Sequence, residues 1–273
     1  MDNHKPVAPL SGAAPYLGGK KNLAERIIER IEPIPHQCYA EPFIGMGGLF
    51  LRRRSAAPCE VINDYSGEVV NFFRIIQRHY RALLDELRFS LAGRRIFNTF
   101  LNTPPETLTD IQRAARFYYL QHCGFSGKVG STSFAVDRTG KSRFNIRQLR
   151  THIEKLHERL AEVTIENLHY SDFITRYDGA DTLFYLDPPY YGCEDDYGKN
   201  MFEREDFVKL AEQLTKISGK FILSLNDKPQ VREIFADFCM EEVSTNYGIG
   251  KNQKFEELLI SNQLLTRRQP TFL

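Results

Sequence analysis

The chain has 273 residues, of which 42% are hydrophobic and 26% charged, values that are ordinary for a globular protein of one or two domains. No apolar run approaches the roughly 20 residues of a membrane span, and the start lacks an apolar signal core, so we expect a cytoplasmic protein without membrane contact. The five cysteines are scattered and never form a CxxC pair, which argues against a disulfide framework and a zinc site.

The net charge of +1 conceals an uneven distribution of charge along the chain. Between Arg74 and Leu160 there are 16 lysine and arginine residues against 7 aspartate and glutamate residues, whereas the remainder has 20 against 28. Such a basic segment fits solvated helix faces, and it also fits a surface that binds a polyanion. Composition alone leaves both interpretations open.

Apolar strand-like runs alternate with helical patterns along most of the chain. In chain order, the pattern predicts a helix in KNLAERIIERIEP, a strand in QCYAE, a helix in GGLFLRRR, a strand in CEVIND and a long helix from about Gly67. Later runs predict helices in IRQLRTHIEKLHERLAEV, REDFVKLAEQLTKI and PQVREIFADF, and strands in VTIENL, TLFYLD, KFILSLN and FEELLISN. This alternation predicts an α/β fold, a doubly wound and mostly parallel sheet with helices on both faces.

The segment from about Arg88 to Asn145 interrupts the alternation with turn signals, clustered aromatic residues and many arginines. It therefore indicates an insertion. We expect one α/β domain formed by residues 11–75 and 161–265, an inserted domain at residues 76–160, and a flexible tail at residues 266–273.

Glycines lie just before two of the predicted helices. YLGGK, which runs from Tyr16 to Lys20, would expose backbone N–H groups at a helix start and favour an anionic group, although alone it also fits a flexible helix entry. EPFIGMGG, which runs from Glu41 to Gly48, would let the backbone turn tightly and approach a ligand. This second motif is not GxGxxG, which argues against a dinucleotide site.

Acidic residues follow several of the predicted strands. Asp64 comes 19 residues after Gly45, where a nucleotide-binding α/β fold carries the carboxylate that receives ribose hydroxyls. The alternative is that Asp64 caps the helix that starts at YSGEVV. Asp172 likewise fits either a cap of the turn FITRY or a ligand contact. Because ligands of open α/β sheets bind at the carboxyl ends of strands, these positions together predict one shared site.

The run LFYLDPPYYG ends a predicted strand with a carboxylate, two prolines and two tyrosines. The residue before a proline is held in the extended region, so Asp187 should point its carboxylate in a set direction. Pro188 and Pro189 offer carbonyl oxygens but no N–H, and Tyr190 adds a flat face that suits stacking on a base. Acceptors beside a stacking ring predict a pocket for a planar ring that carries an amino group.

Together these motifs resemble the Dam-like DNA adenine methyltransferases, the α-group enzymes that methylate the exocyclic amine of adenine. The family order is YxGGK, an FxGxG loop, a target-recognition insertion and DPPY, and the sequence follows it over nearly its whole length. The resemblance implies the S-adenosylmethionine-dependent methyltransferase fold, S-adenosylmethionine as methyl donor, double-stranded DNA as substrate, and no metal. It also implies a bacterial or phage-encoded enzyme, which we expect to be a monomer.

The resemblance implies roles for the residues of this chain that occupy the family's motif positions. Asp64 would hold the ribose hydroxyls of the cofactor, Asp172 and Phe173 would contact its adenine, and Asp187 to Tyr190 would hold the target adenine. The other residues that the resemblance places at the cofactor are Tyr16, Lys20, Phe43, Gly45 and Gly47, with Asp187 bordering both ligands.

The insertion departs from the family pattern. Dam proteins that read GATC resemble NGxxRYN…GxFNVPxG there, whereas this chain has GFSGK and GKSRFNIRQ, which keep Phe144 and Asn145 but lack the following proline and glycine. The target sequence is therefore left open. Arginine or lysine donating to guanine is the commonest specific contact. Basic side chains of the insertion are accordingly the predicted DNA contacts: Arg94, Arg95, Lys128, Arg138, Lys141 and Arg143.

The resemblance implies that the target adenine flips out of the duplex, and that Asp187 and the Pro188 carbonyl accept the two N–H bonds of its amine. An aspartate with the ordinary pKa of about 3.9 is a poor base, so we expect the proton to leave after methyl transfer. The alternatives are an RNA or protein-glutamine methyltransferase, which shares the cofactor fold but usually has NPPY, and an inactive DNA-binding protein.

The carboxyl-terminal residues Gln269–Leu273 read QPTFL and follow the last predicted strand. One interpretation is plain disorder. The other is a short peptide that holds the replication sliding clamp, because a glutamine followed by Phe272 and Leu273 supplies a polar anchor and two apolar side chains.

Overall fold

The structure is a computed structural model that describes residues 3–15, 20, 23–124, 133–135, 144–194, 202–246 and 254–266. The helices of these ranges are α1 (Ala24–Ile31), α2 (Gly67–Leu87), α3 (Arg94–Asn102), α4 (Asp110–Cys123), α5 (Ile146–Leu160), α6 (Tyr170–Tyr177), α7 (Arg204–Leu214) and α8 (Pro229–Ile234). The strands are β1 (Lys5–Pro6), β2 (Cys38–Glu41), β3 (Ser55–Ala56), β4 (Cys59–Asn63), β5 (Thr164–Glu166), β6 (Thr182–Leu186), β7 (Lys220–Asn226), β8 (Cys239–Asn246) and β9 (Lys254–Ser261).

Seven of these strands form one sheet in the spatial order β5-β4-β2-β6-β7-β9-β8. The five strands from β5 to β7 pair in parallel, and β9 runs antiparallel to both of its neighbours, β7 and β8. The doubly wound, mostly parallel sheet predicted from the sequence is therefore confirmed. The remaining strands, β1 and β3, form a separate two-stranded ladder.

The strand order reverses at β2, which lies between β4 and β6. From β2 the chain adds β4 and β5 on one side, and it then returns to add β6 and β7 on the other. In open α/β sheets, ligands bind outside the carboxyl ends of the strands at such a switch point. The topology therefore predicts a ligand site at the loops that follow β2, β4 and β6.

Both faces of the sheet are covered, as β6 shows. Leu183 and Tyr185 belong to one buried hydrophobic cluster, whereas Phe184 and Leu186 belong to a second. Alternate side chains of a strand point to opposite faces, so a strand that is buried on both faces is apolar along its whole length. This is why TLFYL reads as a continuous apolar run.

The inserted segment packs on the same core as the α/β domain. Phe97 of α3, Tyr118 of α4 and Leu156 of α5 are fully buried in the cluster that also contains Tyr39 of β2. The boundary expected between residues 75 and 76 falls inside α2, whose kink lies at His79 (φ −136°, ψ 30°). The division into domains stays a prediction, and the segment is joined to the rest by a shared hydrophobic core.

Two local predictions were wrong. GGLFLRRR forms only a three-residue 3-10 turn, Phe50–Arg52, because Arg53 adopts an extended backbone (φ −60°, ψ 146°). Strand β8 was missed because CMEEVSTN lacks a regular apolar alternation. As the last strand of the sheet, β8 has one neighbouring strand. Among its described side chains, Val243 is the one that is buried in the hydrophobic core.

Among the helices of the described ranges, none combines the length and apolar character that a membrane span requires. The same residues contain no group of three or more His, Cys, Asp or Glu that could hold a metal ion. Several predicted functional residues lie outside the described ranges, and their roles stay predictions: Tyr16, Lys128, Arg138, Lys141, Arg143 and the tail Gln269–Leu273.

Candidate active site

A cavity of about 700 Å³ lies at the carboxyl ends of β2, β4 and β6, beside the reversal of strand order. Its wall combines the loop after β2, the residues after β4 and β6, and side chains of α4 and α5 from the inserted segment. The cavity thus brings together most of the motifs that the sequence singled out. Residues from the sequence prediction that line it are Lys20, Phe43, Gly45, Asp64, Asp187 and Pro189.

The glycine loop after β2 needs backbone conformations that favour glycine. Gly45 has φ 49° and Gly47 has φ 69°, and both values fall in the left-handed region. A Cβ atom at Gly47 would also lie 2.8 Å from Cδ1 of Leu51, so a side chain there would be both strained and crowded. These glycines therefore allow the tight turn that the EPFIGMGG motif predicted, and the approach of the loop to a ligand stays a prediction.

Asp64 joins the end of β4 to the glycine loop. Its carboxylate accepts a hydrogen bond from the backbone N–H of Gly45 at 2.9 Å and another from the N–H of Ser66 at 2.9 Å. Ser66, not Asp64, occupies the N-cap position of α2. Burial raises the pKa of Asp64 to about 6, although both backbone hydrogen bonds act in the opposite direction. A carboxylate has about four acceptor sites, so Asp64 can still accept donors from a ligand.

Lys20 and Asp187 form an ion pair in the wall of the cavity. The Nζ atom of Lys20 lies 3.0 Å from Oδ1 of Asp187, and the Lys20 side chain is 2% exposed. Lys20 was predicted at the cofactor, and the structure places it against the carboxylate of the DPPY motif. Burial raises the pKa of Asp187 to about 6, Lys20 lowers it, and Glu257 raises it further. The ordinary pKa expected from the sequence was therefore wrong.

The DPPYY turn follows β6 directly. Pro188 and Pro189 are buried, and Pro189 lines the cavity. The Tyr190 hydroxyl accepts a hydrogen bond from Lys20 and donates one to Glu257. The backbone of Tyr191 exchanges two hydrogen bonds, both 3.0 Å long, with the side-chain amide of Asn226 at the end of β7. The turn is therefore held by hydrogen bonds of the Tyr190 side chain and of the Tyr191 backbone.

Sequence reasoning missed two buried polar groups in the cavity wall. Glu41 ends β2 and accepts a hydrogen bond of 2.6 Å from the Tyr39 hydroxyl, and burial raises the pKa of Glu41 to about 8. Tyr185 of β6 is 2% exposed, and its hydroxyl has no hydrogen-bond partner among the described residues. Glu41 stood visibly at the start of EPFIGMGG, whereas Tyr185 was hidden inside an apolar strand.

Asp172 and Phe173 do not line the cavity in the structure. Asp172 is exposed on the first turn of α6, and Phe173 is fully buried in the hydrophobic core. The side chain of His169, not Asp172, caps this helix by accepting from the N–H of Ser171. His169 and its neighbour Tyr170 are the residues of this segment that line the cavity.

The inserted segment contributes part of the cavity wall. Gln148, Leu149 and His152 of α5 line it together with Gly12. The Nε2 atom of His152 lies 3.2 Å from the Gly12 carbonyl oxygen, and burial lowers the pKa of His152. The segment that the sequence assigned to target recognition therefore also shapes the central cavity.

The described part of the basic segment divides into paired and exposed side chains. Arg113 forms an ion pair with Glu68, and Arg159 forms one with Glu60 at 2.6 Å. Arg94 and Arg95 begin α3 and are exposed. The charge count along the sequence therefore overstates the positive charge that is available at the surface.

The chain is similar to known proteins over most of its length. The family of D12 class N6 adenine-specific DNA methyltransferases matches residues 16–249. A type II methyltransferase of Paramecium bursaria Chlorella virus NC1A is 23% identical over 238 residues, which cover 85% of this chain and 89% of that protein. A type II methyltransferase of Lactococcus lactis is 25% identical over 284 residues, with 90% and 93% covered. A DNA adenine methylase of Haemophilus influenzae is 24% identical over 265 residues, with 87% of each covered. The chain belongs to the D12 class of N6 adenine-specific DNA methyltransferases.

Proposed function

We propose that this adenine-specific DNA methyltransferase takes its methyl group from S-adenosylmethionine bound in the cavity and transfers it to an adenine flipped out of double-stranded DNA. The observation that carries the proposal is that the carboxylates of Asp64 and Asp187 line the same cavity. A carboxylate at the end of the second strand suits a ribose diol, and an acceptor beside prolines suits an exocyclic amine. The groups that would recognise the methyl donor and the methyl acceptor thus line the same cavity.

The cavity fits S-adenosylmethionine in size and chemistry. Pockets for ligands of this kind span about 300–1,000 Å³, and this cavity has about 700 Å³. Phe43 and Ile44 provide apolar wall, Asp64 provides an acceptor, and the buried hydroxyl of Tyr185 lacks a hydrogen-bond partner among the described residues. Buried polar groups are rarely left unpaired, so this hydroxyl supports a polar ligand. When bound, S-adenosylmethionine supplies an electrophilic sulfonium methyl group.

The DPPY turn supplies the groups that we assign to the target amine. The amine lone pair of adenine is delocalised into the ring, which makes the nitrogen a weak nucleophile. The ionised Asp187 carboxylate and the Pro188 carbonyl accept its two N–H bonds, increase electron density on nitrogen and fix its direction. Both residues act by position and electrostatics, and Asp187 accepts the proton released after transfer.

Base flipping follows from access to the amine. Enzymes that act on a base inside a duplex take it out of the stack at a cost of a few kcal/mol. Stacking on an aromatic side chain recovers about 1–3 kcal/mol per base, and Tyr190 is the aromatic residue that we assign to this role. Its hydroxyl is bonded to Lys20 and Glu257, which restricts the orientation of its ring.

Methylation is expected to decline as the pH falls through about 6. The pKa of Asp187 is raised to about 6, so protonation in this range removes an acceptor that the amine requires. The pKa of Asp64 is raised to the same value. The two groups are separated by measuring kcat/KM for DNA at saturating cofactor, which reports Asp187, and the cofactor Kd, which reports Asp64. A kcat/KM that stays flat to a pH of about 5 contradicts the role of Asp187.

Affinity for DNA is expected to depend steeply on salt through the exposed basic residues of the insertion. Arg94 and Arg95 lie at the amino-terminal end of α3, where positive charge opposes the helix dipole, so helix stability does not explain them. Replacing both with alanine should reduce the slope of log K against log salt by about 2, because each phosphate contact contributes about 0.9. The measurement is a fluorescence titration of duplex DNA at several salt concentrations.

The matched control removes two exposed basic side chains outside the insertion. Arg54 pairs with Glu25, and Lys5 pairs with Glu162. The double variant Lys5→Ala, Arg54→Ala changes the net charge equally and should leave the slope unaltered. Equal slopes in both double variants would favour the interpretation of the basic segment as a set of solvated helix faces.

The test of the proposed function is methyl transfer from labelled S-adenosylmethionine to plasmid DNA, with mapping of the methylated adenines. RNA and a glutamine-containing protein extract, supplied in parallel, represent the alternatives of RNA and protein-glutamine methylation. Label in adenine N6 of duplex DNA alone is the expected result. Label in RNA or protein instead, or none with this donor, contradicts the proposal.

A further inference from the structure

A third buried carboxylate, Glu257 of β9, lies beside the groups of the DPPY turn. Glu257 is 8% exposed, and no sequence motif predicted a role for it. We infer that Glu257 is a positioning residue, which holds Lys20 and Tyr190 in place and thereby orients the Asp187 carboxylate toward the target amine. This inference rests on the proposed function of Asp187 and goes beyond it.

The contacts of Glu257 connect three elements of the site. Its carboxylate lies 3.3 Å and 3.4 Å from the Nζ atom of Lys20, accepts a hydrogen bond from the Tyr190 hydroxyl, and accepts another of 2.9 Å from Ser224 of β7. Lys20 in turn lies 3.0 Å from Asp187, and its Nζ atom lies 4.4 Å from the centre of the Tyr190 ring. Glu257 therefore acts on the catalytic turn through two neighbours at once.

One ammonium group shared by two carboxylates makes this arrangement sensitive to charge. Lys20 is 3% exposed, and a buried charge needs a partner to offset its desolvation. If Glu257 is removed, Lys20 still pairs with Asp187, and the attraction of the second carboxylate for its ammonium group is lost. Glu257 thus limits how strongly Lys20 binds Asp187, and it keeps the Asp187 acceptor available to an incoming amine.

The fold explains why β9 contributes this residue. Glu257 pairs across the antiparallel ladder with Asn226 of β7, whose side-chain amide binds the backbone of Tyr191. Two neighbouring positions of the β7–β9 pair therefore fix the DPPYY turn, one through its backbone and the other through Tyr190. A turn held in this way is preorganised, so little ordering remains to be done when the base arrives.

A purely structural role predicts a different result from a positioning role. If Glu257 only neutralises a buried lysine, its replacement lowers stability and leaves kcat above the acid limb unchanged. If it positions Lys20 and Tyr190, its charge also acts on Asp187, which is faced by Lys20, Glu257, Tyr185 and the more distant Glu41. Removing that negative charge lowers the pKa of Asp187, so the acid limb of kcat/KM moves to lower pH.

The experiment compares Glu257→Gln and Glu257→Ala with the wild-type chain on plasmid DNA at saturating S-adenosylmethionine. Glu257→Gln keeps an oxygen that accepts from Tyr190 but loses the charge that is shared with Lys20, so kcat should fall less than in Glu257→Ala and the acid limb should shift to lower pH. Glu257→Ala loses both contacts, and kcat should fall about 10- to 100-fold, as for a misplacement of about 1 Å near reacting atoms. The cofactor Kd should change little in either variant.

The matched control is Glu241→Gln on the neighbouring strand β8. Glu241 also pairs with a buried cation, because its carboxylate lies 3.1 Å from the Nε atom of Arg30, but it does not line the cavity. This variant should lose comparable stability and keep the wild-type kcat and acid limb. A second check combines Glu257→Gln with Tyr190→Phe, whose effects on kcat should be non-additive since the two side chains bond each other.

Two outcomes would contradict the inference. Wild-type kcat and an unshifted acid limb in both Glu257 variants overturn it, and so does a loss that Glu241→Gln reproduces. If Glu257→Ala does not fold, the pH profile of Glu257→Gln decides alone. An inactive wild-type chain that still binds DNA contradicts the proposed function and is distinguishable, because the inference concerns differences between active proteins.

Discussion

Replacing Asp187 with alanine should reduce kcat by about 1,000-fold or more while leaving the protein folded. Removal of a single preorganised group that stabilises developing charge typically costs about 100- to 1,000-fold, and Asp187 both orients the amine and accepts its proton in the proposed reaction. Single-turnover transfer of labelled methyl groups to plasmid DNA measures the loss. Residual turnover near the wild-type rate would contradict the assignment.

The fold should tolerate this change because Asp187 does not stabilise it at neutral pH. Its pKa is raised from an ordinary 3.8 to about 6, so the folded state disfavours the ionised form. A raised carboxyl pKa contributes stability that is fully present below about 3.8 and is lost as the pH rises through about 6. The free energy of unfolding of Asp187→Asn at pH 7 should therefore equal or exceed that of the wild type, with Glu257 still pairing Lys20.

The matched control for Asp187 is Asp227. It follows β7 as Asp187 follows β6, but it pairs with Arg232 at 2.6 Å and does not line the cavity. Asp227→Ala removes the same chemical group from the same edge of the sheet and should keep nearly full turnover. Equal losses in the two variants would indicate a general effect of charge at this edge.

Replacing Asp64 with alanine should raise the Kd for S-adenosylmethionine by about 10- to 100-fold. A hydrogen bond to a charged group contributes about 1.5–3 kcal/mol, and the loop after β2 would also lose the bond between the Asp64 carboxylate and the Gly45 N–H. Isothermal titration calorimetry with purified protein measures the change. The kcat at saturating cofactor should be affected much less than the Kd.

Asp172 provides the comparison for Asp64, because sequence and structure make opposite predictions for it. The motif position assigns Asp172 to the cofactor adenine, whereas the structure leaves its side chain exposed and outside the cavity wall. Asp172→Ala should therefore bind cofactor as the wild type does. Weakened binding in this variant, with normal binding in Asp64→Ala, would mean that the cofactor occupies another part of the chain.

Those parts of the site that lie close together along the chain could be predicted from the sequence. The interval of 19 residues from Gly45 to Asp64 covers the loop after β2 and the return through β4, and in the structure the two residues are joined by a hydrogen bond of 2.9 Å. The DPPY turn was predicted for the same reason, since proline restricts the backbone at and before its own position. Local chemistry determined these features.

Contacts between distant segments could not be predicted in this way. Lys20 and Glu257 are 237 residues apart, and they meet because β9 inserts between β7 and β8 in the sheet. Burial then sets the pKa of Asp187, and a sequence pattern does not specify burial of a single carboxylate. The N-cap of α6 is His169, and Asp172 is exposed on the first turn of this helix, so its contact with the cofactor stays a prediction.

The contribution of α5 to the cavity has a thermodynamic consequence. Leu149 and His152 line the cavity, and α5 belongs to the segment to which we assign target recognition. Any shift of α5 on binding DNA would therefore change the wall of the cavity that we propose for the methyl donor. Linkage then requires reciprocity: the factor by which DNA alters affinity for the donor equals the factor by which the donor alters affinity for DNA.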